Sequence, residues 1–139
     1  MDYREAYEKA LQLLNVRFLS EGELKAKLRR RGVDDDVLED VVAALEGEHF
    51  LDDQRLARDV YRYYARKGQY GHLYIVNRLR RRCLPVPEDV ERPDEYALAG
   101  DLVKRKFSYR ADEARKAARF LQYRGFSPSV IRDVLEDFT

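Results

Sequence analysis

The chain of 139 residues has one cysteine, no tryptophan and no long apolar run. With Cys83 alone, an internal disulfide and a four-thiolate zinc site are both excluded. The longest apolar runs, such as residues 41–45, fall far short of the roughly 20 residues that span a membrane. The first five residues contain no apolar segment, so we expect no secretory signal and a cytoplasmic protein.

The sequence also lacks the patterns that support catalysis. It has neither a glycine-rich phosphate loop nor a Ser/His/Asp arrangement, and only two histidines. His49 with Asp52 and Asp53 is the one metal-like grouping, but it is better explained as the start of a helix. We therefore predict a protein that is not an enzyme and holds no metal or cofactor.

The charges nearly cancel over the whole chain. There are 27 Lys and Arg against 26 Asp and Glu, for a net charge of +1. A generic binder of polyanions is usually strongly basic, so this balance argues against one. The length is typical of a single domain, which we place at residues 1–139.

Apolar residues recur at spacings of three and four almost everywhere, which predicts an all-α protein. The first predicted helix carries Ala6, Ala10 and Leu13 on one face, with Phe18 as a further candidate. Nine helices are predicted, and the sixth is expected to be short or irregular because three prolines lie within residues 85–93. Residues 71–76 also fit a short strand, but we favour a helix because the segment continues directly into polar residues.

A six-residue pattern occurs three times, at 28–33, 79–84 and 121–126. The offsets are 51 residues from Leu28 to Leu79 and 42 residues from Leu79 to Leu121. A period of this size with about three helices per unit is typical of a stacked helical array. The sequence therefore predicts three tandem three-helix repeats in an elongated molecule, with units at about 1–50, 51–92 and 93–139.

Charge follows the repeat. Residues 17–31 sum to +4, whereas residues 34–48 contain seven acidic residues and no basic one. Residues 72–82 are again basic, residues 88–95 acidic and residues 104–124 basic. Stacked units would align these blocks into a basic stripe beside an acidic one. The stripes fit either a partner-binding surface or a solvated face whose charges pair internally.

The basic blocks supply the candidate binding residues. Arginine suits phosphate and carboxylate groups because its planar fork binds them through two parallel hydrogen bonds. The alternative at each position is an ion pair with a neighbouring acidic block. The candidates for filament or nucleic-acid binding are Arg29, Arg30, Arg31, Arg78, Arg81, Arg82, Lys104 and Lys106.

Half of the ten tyrosines lie between residues 61 and 74. Tyr61 and Tyr64 have the spacing of a buried stripe, so we expect them to pack inside the protein. Tyr63 and Tyr70 are the candidates for stacking on exposed bases.

Four segments together resemble the RecX family of regulators of the RecA recombinase. The segments are Ser20-x-x-Glu23-Leu24-x-x-Lys27-Leu28, His49-Phe50-Leu51-Asp52-Asp53-x-x-Leu56-Ala57, Gly71-x-x-x-Ile75-x-x-x-Leu79 and Phe120-Leu121-x-x-Arg124-Gly125-Phe126-Ser127. The resemblance implies a curved all-α molecule of tandem three-helix units. It also implies a cytoplasmic protein that binds the RecA–DNA filament, within its groove, and modulates recombinase and coprotease activity without catalysis. We further expect a monomer that contacts single- or double-stranded DNA within the filament and inhibits the recombinase.

Two other functions stay open from the residues alone. Helix–glycine–helix units with arginines at the turn also fit a direct DNA binder of the helix-turn-helix type. A helical-repeat scaffold for another protein would use the same surface. Steep salt dependence on naked duplex would identify the direct DNA binder. Under the filament hypothesis, reversing the charges of Arg78, Arg81 and Arg82 weakens filament binding.

Overall fold

The computed structural model describes all 139 residues as eight α-helices and one 3₁₀ turn, without strands. The helices are α1 (Tyr3–Val16), α2 (Glu21–Arg30), α3 (Asp35–Gly47), α4 (Asp53–Arg66), α5 (His72–Arg81), α6 (Glu95–Lys106), α7 (Ala114–Tyr123) and α8 (Pro128–Leu135). The 3₁₀ turn, Ala111–Glu113, precedes α7. The predicted all-α class is confirmed.

The chain forms two compact units, with boundaries within α4, within α5 and after Pro87, in the segment between α5 and α6. The first unit comprises Met1–Asp59 and Leu79–Pro87, and the second comprises Val60–Arg78 and Glu88–Thr139. The predicted division into three units near residues 50 and 92 stays a prediction.

In the first unit, α1, α2 and α3 enclose an apolar core. Its members that are completely removed from solvent include Ala6, Ala10, Leu24, Leu28, Leu38 and Leu45. The predicted capping box is present, since the Ser20 hydroxyl accepts from the Glu23 N–H and the Glu23 carboxylate accepts from the Ser20 N–H. Phe18 does not continue the apolar face of α1. The helix ends at Val16, and Phe18 is 78% exposed in the extended segment that leads into this cap.

In the second unit, α6, α7 and α8 enclose the other core. Its buried members include Ala99, Val103, Ala117, Leu121, Phe126 and Val130. Ser127 caps α8 by accepting from the Val130 N–H, and Pro128 occupies the first turn, as the sequence predicts.

One sequence expectation is confirmed and another is corrected. Residues 72–76 belong to α5, which confirms the helix that was favoured over a strand for 71–76. No helix forms between Arg82 and Asp94, so the chain has eight helices instead of nine. Pro85, Pro87 and Pro93 each lack the N–H that a helix needs, which explains why even a short helix is absent there.

The repeated six-residue pattern has a repeated structure. Helices α2, α5 and α7 each end with a 6→1 hydrogen bond: Val33 N to Leu28 O (3.2 Å), Leu84 N to Leu79 O (2.9 Å) and Phe126 N to Leu121 O (3.1 Å). The preceding residues, Gly32, Cys83 and Gly125, all have positive φ, at 83°, 57° and 84°. This is the Schellman ending, in which a left-handed residue lets the chain leave the helix. The three segments are therefore structurally equivalent.

Cys83 is the one member of this set that is not glycine, and its Cβ makes the left-handed conformation unfavourable. We expect Cys83→Gly to raise the free energy of unfolding by about 1 kcal/mol, because it relieves a strain of about 1–2 kcal/mol, part of which is offset by the greater entropy of glycine in the unfolded chain. Thermal unfolding checks this. Cys83→Ala, which removes the thiol but keeps the Cβ, is the matched control and should leave the melting temperature nearly unchanged. Equal effects of the two substitutions would contradict the explanation.

Within the first unit, the C-terminal end of α5 meets the N-terminal end of α2. The Ser20 hydroxyl donates to the Arg82 carbonyl at 2.5 Å, and Arg82 Nη2 donates to the Phe18 carbonyl at 2.8 Å. We call this arrangement a helix-end joint: a C-cap arginine whose carbonyl and guanidinium both contact the start of an earlier helix.

Within the second unit, the C-terminal end of α7 meets the N-terminal end of α5 in the same way. The Gly71 N–H donates to the Arg124 carbonyl at 2.7 Å, and Arg124 Nη1 contacts the Gln69 carbonyl at 3.4 Å. Gly71 and Gln69 follow Ser20 and Phe18 by 51 residues, and Arg124 follows Arg82 by 42. The offsets equal those of the repeat, so the second helix-end joint repeats the first.

Candidate interaction surfaces

The C-terminal end of α2 carries three exposed arginines, Arg29, Arg30 and Arg31. Arg29 pairs with Asp35 at 3.3 Å, but the two side chains are 54% and 80% exposed, so the pair adds little stability. Arg31 Nη1 donates to the Lys27 carbonyl of its own helix at 3.1 Å. These guanidinium groups face solvent and remain free to meet a partner.

The three candidate arginines of the α5 region have different surroundings. Arg81 is exposed, and Arg78 is half-buried among tyrosines. Arg82 contacts Glu23 with two nitrogens, Nη2 to Oε1 at 3.0 Å and Nε to Oε2 at 3.2 Å, in addition to the Phe18 carbonyl. The two side chains are only 21% and 20% exposed, so the donors of Arg82 are largely used inside the first unit.

The carboxylate of Glu23 is held in its charged form. Burial by itself would raise its pKa, but hydrogen bonds from the Arg82 guanidinium and the Ser20 N–H outweigh this effect and lower the pKa below 4.5. The Glu23–Arg82 pair is therefore ionised at neutral pH and contributes to the helix-end joint of the first unit.

The second unit carries a cluster of aromatic rings, which we call the tyrosine cluster: Tyr63, Tyr64, Tyr70 and Tyr74. The rings of Tyr70 and Tyr74 lie parallel at 3.9 Å. Tyr64 presents its ring edge-on to both, at 6.0 and 5.9 Å, and Tyr63 meets Tyr64 at 5.1 Å. Tyr63 is the outermost member, 56% exposed. Packing of Tyr64 and complete burial of Tyr61 confirm the sequence expectation for that pair.

Cations lie over these rings. The guanidinium of Arg78 is 5.1 Å from the Tyr74 ring centroid and 5.8 Å from that of Tyr64, and it donates to the Tyr74 hydroxyl at 2.8 Å. Lys67 Nζ lies 4.8 Å from the centre of the Tyr63 ring. Alternating rings and cations of this kind are the physical composition of surfaces that bind nucleic acid strands.

A second row of rings and cations continues in the same unit. Arg124 lies over both Tyr70 (5.6 Å) and Phe120 (5.0 Å). Lys106 Nζ is 4.4 Å from the Phe120 centroid. Lys104 lies exposed in the last turn of α6. The sequence suggested Lys104, Lys106 and Tyr70 separately. The fold brings Lys106 and Tyr70 to the two neighbours Arg124 and Phe120, which the sequence analysis did not select.

The acidic block at residues 34–48 is partly paired within the first unit. Lys25 binds Glu21 at 2.9 Å and Glu39 at 3.0 Å, and Tyr7 donates to Glu48 at 2.7 Å. Asp36 and Asp40 are exposed on α3. Some residues of the acidic block therefore pair within the protein, whereas others are exposed and can face a partner.

Several exposed aromatic side chains were not selected from the sequence, among them Tyr123 and Phe50. Tyr123, at the end of α7, is 76% exposed, and Phe50 is also exposed, beside a cavity of about 210 Å³ that includes Phe18 and Leu56. Tyr123 is the last residue of α7, and Phe50 lies between α3 and α4. Helical periodicity carries no information about exposure at such positions.

No group of three or more His, Cys, Asp or Glu side chains is arranged to hold a metal ion. No helix has both the length and the apolar character needed to cross a membrane.

Two family models match the chain. Residues 6–45 match the model described as RecX, first three-helix domain, and residues 93–135 match that described as RecX, third three-helix domain. The chain is 32% identical over 144 residues to Regulatory protein RecX of Vibrio cholerae serotype O1 (strain O395), covering 97% of the chain and 94% of that relative.

The length of the relatives varies. The chain is 30% identical over 149 residues to Regulatory protein RecX of Geobacillus kaustophilus, covering 98% of the chain but 55% of that relative. It therefore spans about half the length of this relative and nearly the full length of the one from Vibrio cholerae.

The fold is also similar to solved structures. The crystal structure of RecX from Lactobacillus salivarius superposes with a TM-score of 0.80 over 99% of this chain and 96% of that chain, at 21% identity. A further crystal structure of regulatory protein RecX gives a TM-score of 0.76 over 96% of this chain. Together with the repeated helix endings, these similarities confirm an array of three-helix repeats.

Proposed function

Because this chain belongs to the RecX family of regulatory proteins, we propose that it binds the RecA–DNA filament and inhibits recombinase and coprotease activity. It acts in the cytoplasm, as a monomer, by binding rather than by catalysis. The proposal extends to DNA repair and recombination and to the SOS response, where a filament of this kind is the regulated species.

The exposed cations at several helix ends are the observation that supports this proposal. Arg29, Arg30 and Arg31 end α2, Arg81 ends α5, and Lys104 lies in the last turn of α6. The net charge of the whole chain is nevertheless only +1. A filament presents both phosphates and protein surface. A protein with local basic groups and a nearly neutral net charge is therefore better suited to bind the filament than to bind naked DNA.

The tyrosine cluster supports contact with the DNA of the filament. Tyr63 exposes more than half of its surface beside Lys67, and the Arg78 guanidinium is positioned by the Tyr74 hydroxyl. Base–aromatic stacking tolerates any sequence because every base has a π-face, which fits a regulator that meets filaments on arbitrary DNA. Tyr70 is stacked on Tyr74, so Tyr63 is the member we assign to base stacking.

A triple charge reversal tests the proposal. Arg30→Glu, Arg81→Glu and Lys104→Glu change exposed side chains outside the helix-end joints, so the fold should survive, as circular dichroism would show. We expect affinity for assembled RecA–DNA filaments to fall about tenfold, because each reversal replaces an attraction by a repulsion. Co-sedimentation with filaments, with RecA alone and with DNA alone measures it, and strand-exchange assays report the loss of inhibition.

The matched control reverses three other exposed arginines, Arg4, Arg55 and Arg132, for the same change in net charge. Equal loss in both triple variants would mean that only total charge matters. Wild-type protein that stays in the supernatant with filaments would refute filament binding. A steep salt dependence on naked duplex, approaching a slope of −0.9 per phosphate contact, would instead favour the direct DNA binder.

A further inference from the structure

We propose that the C-terminal end of α2 (Arg31 and Gly32) is an open half of a helix-end joint, and that it docks onto the N-terminus of a helix on a RecA subunit. This inference rests on the proposed function, because it names the protein element that the basic end of α2 contacts. The partner helix begins with a donor at its N-cap position and carries carboxylates in its first turn.

Three C-cap arginines of the chain are equivalent. Arg31, Arg82 and Arg124 occupy the same position in the three repeated segments, each before a residue with positive φ. In two of the three, the arginine carbonyl accepts a hydrogen bond from the start of another helix, from the Ser20 hydroxyl or the Gly71 N–H. In the same two, the guanidinium contacts a carbonyl two residues earlier than that donor, at Phe18 or Gln69.

At the end of α2, no neighbouring helix fills the space beside Arg31 and Gly32. Arg31 and Gly32 are both exposed, and the single hydrogen bond of the Arg31 guanidinium goes to Lys27 of its own helix. A Cβ added to Gly32 would meet nothing within 4 Å, whereas one added to Gly125 would overlap the backbone N–H of Tyr74. The space beside the positive-φ residue is thus occupied by α5 at the end of α7 and unoccupied at the end of α2.

The chemistry of this helix end decides what can fill the space beside it. A helix carbonyl end is acceptor-only and partly negative, so its complement is a helix N-terminus, which is partly positive and rich in free N–H groups. Phosphate oxygens have no hydrogen to donate and cannot satisfy the Arg31 carbonyl. The surrounding Arg29 and Arg30 favour carboxylates in the first turn of the partner, as Glu23 does for Arg82.

The corresponding helix start of a second copy, at α7, does not fit as the occupant. The α7 residue that corresponds to Glu23 and Tyr74 is Lys116, which would repel Arg31. Glu113, which corresponds to Ser20 and Gly71, already donates its N–H to the Arg110 carbonyl at 3.0 Å. We assign the occupant to a RecA subunit because the exposed arginines of α2 belong to the surface that is proposed to bind the filament. Dimers of the wild type that Gly32→Asn abolishes would show instead that a second copy docks there, and would overturn the inference.

Gly32→Asn tests this docking without changing any charge. Asparagine tolerates positive φ better than other non-glycine residues. Its side chain is larger than the Cys83 thiol, which the joint of the first unit accommodates against Gly22, so it would fill the space that the partner backbone needs. Gly68→Asn is the matched control, because Gly68 also has positive φ (64°) and nothing within 4 Å of an added Cβ. Both variants are measured for thermal unfolding, for affinity to assembled RecA–DNA filaments and for affinity to naked single-stranded and duplex DNA.

We expect Gly32→Asn to bind filaments about tenfold more weakly than both wild type and Gly68→Asn, with naked-DNA affinity unchanged. Arg31→Lys, which keeps the charge but loses the planar fork, should also weaken filament binding more than Arg30→Lys does. Wild-type filament affinity in Gly32→Asn would overturn the inference and leave the proposed function intact. An equal loss of affinity for naked DNA would show that the end of α2 binds phosphate instead of a protein helix, and would also overturn the inference. Failure of the wild type to bind filaments would overturn both proposals.

Discussion

Replacing Gly125 by alanine is expected to lower the free energy of unfolding by about 2–5 kcal/mol. Gly125 has φ of +84°, and its added Cβ would overlap the backbone N–H and the Cβ of Tyr74 in the helix-end joint of the second unit. Overpacking against a backbone costs about 1–3 kcal/mol, and a left-handed conformation costs a non-glycine residue about 1–2 kcal/mol more. Thermal or urea unfolding measures the total.

Two controls separate the parts of this effect. Gly32→Ala has the same left-handed geometry without any neighbour, so it should cost only about 1–2 kcal/mol. Gly100→Ala lies inside α6 with open space around it, so it should stabilise the protein by about 0.5–1 kcal/mol. If Gly125→Ala cost no more than Gly32→Ala, the close approach of α7 to α5 would have no energetic weight.

Replacing Arg82 by alanine should cost about 2 kcal/mol, whereas Arg81→Ala should be close to neutral. Arg82 makes charge-assisted hydrogen bonds to Glu23 and Phe18 with only a fifth of its side chain exposed, and bonds to charged groups contribute about 1.5–3 kcal/mol each. Arg81 is exposed and makes no such contact. Equal effects of the two substitutions on the melting temperature would refute the structural role of Arg82.

The effect of Arg82→Ala on stability should also depend on pH. The pKa of Glu23 is lower in the folded protein than the ordinary value of 4.5, so its contribution is complete above about pH 4.5. That contribution is lost as the pH falls through the folded pKa. The stability difference between wild type and Arg82→Ala should therefore shrink as the pH falls below about 4.5. A difference that stayed constant over this range would mean that the ion pair contributes nothing.

Arg81 and Arg82 show why the candidate sites could be predicted only in part from the sequence. Helical spacing correctly separates Leu79 from the arginines around it, but it describes one helix at a time. Arg82 and Arg81 are neighbours with the same chemistry, and only the approach of α2 makes one a structural residue and leaves the other at the surface. The binding role proposed from sequence for Arg29, Arg30, Arg31, Arg78, Arg81, Arg82, Lys104 and Lys106 stays a prediction.

The sequence by itself determined the helices, their main boundaries and the threefold repeat. Such features depend on local free energies: the Ser20 capping box, the glycines with positive φ after α2 and α7, and the prolines that prevent a helix at 85–93. Only the tertiary structure decided which helix ends meet, which arginines form hydrogen bonds there and which aromatic rings pack around Arg78. The helix-end joints depend on contacts between residues 53 to 64 positions apart in the chain, and the rings around Arg78 come from two different helices, α4 and α5, so no local pattern encodes their geometry.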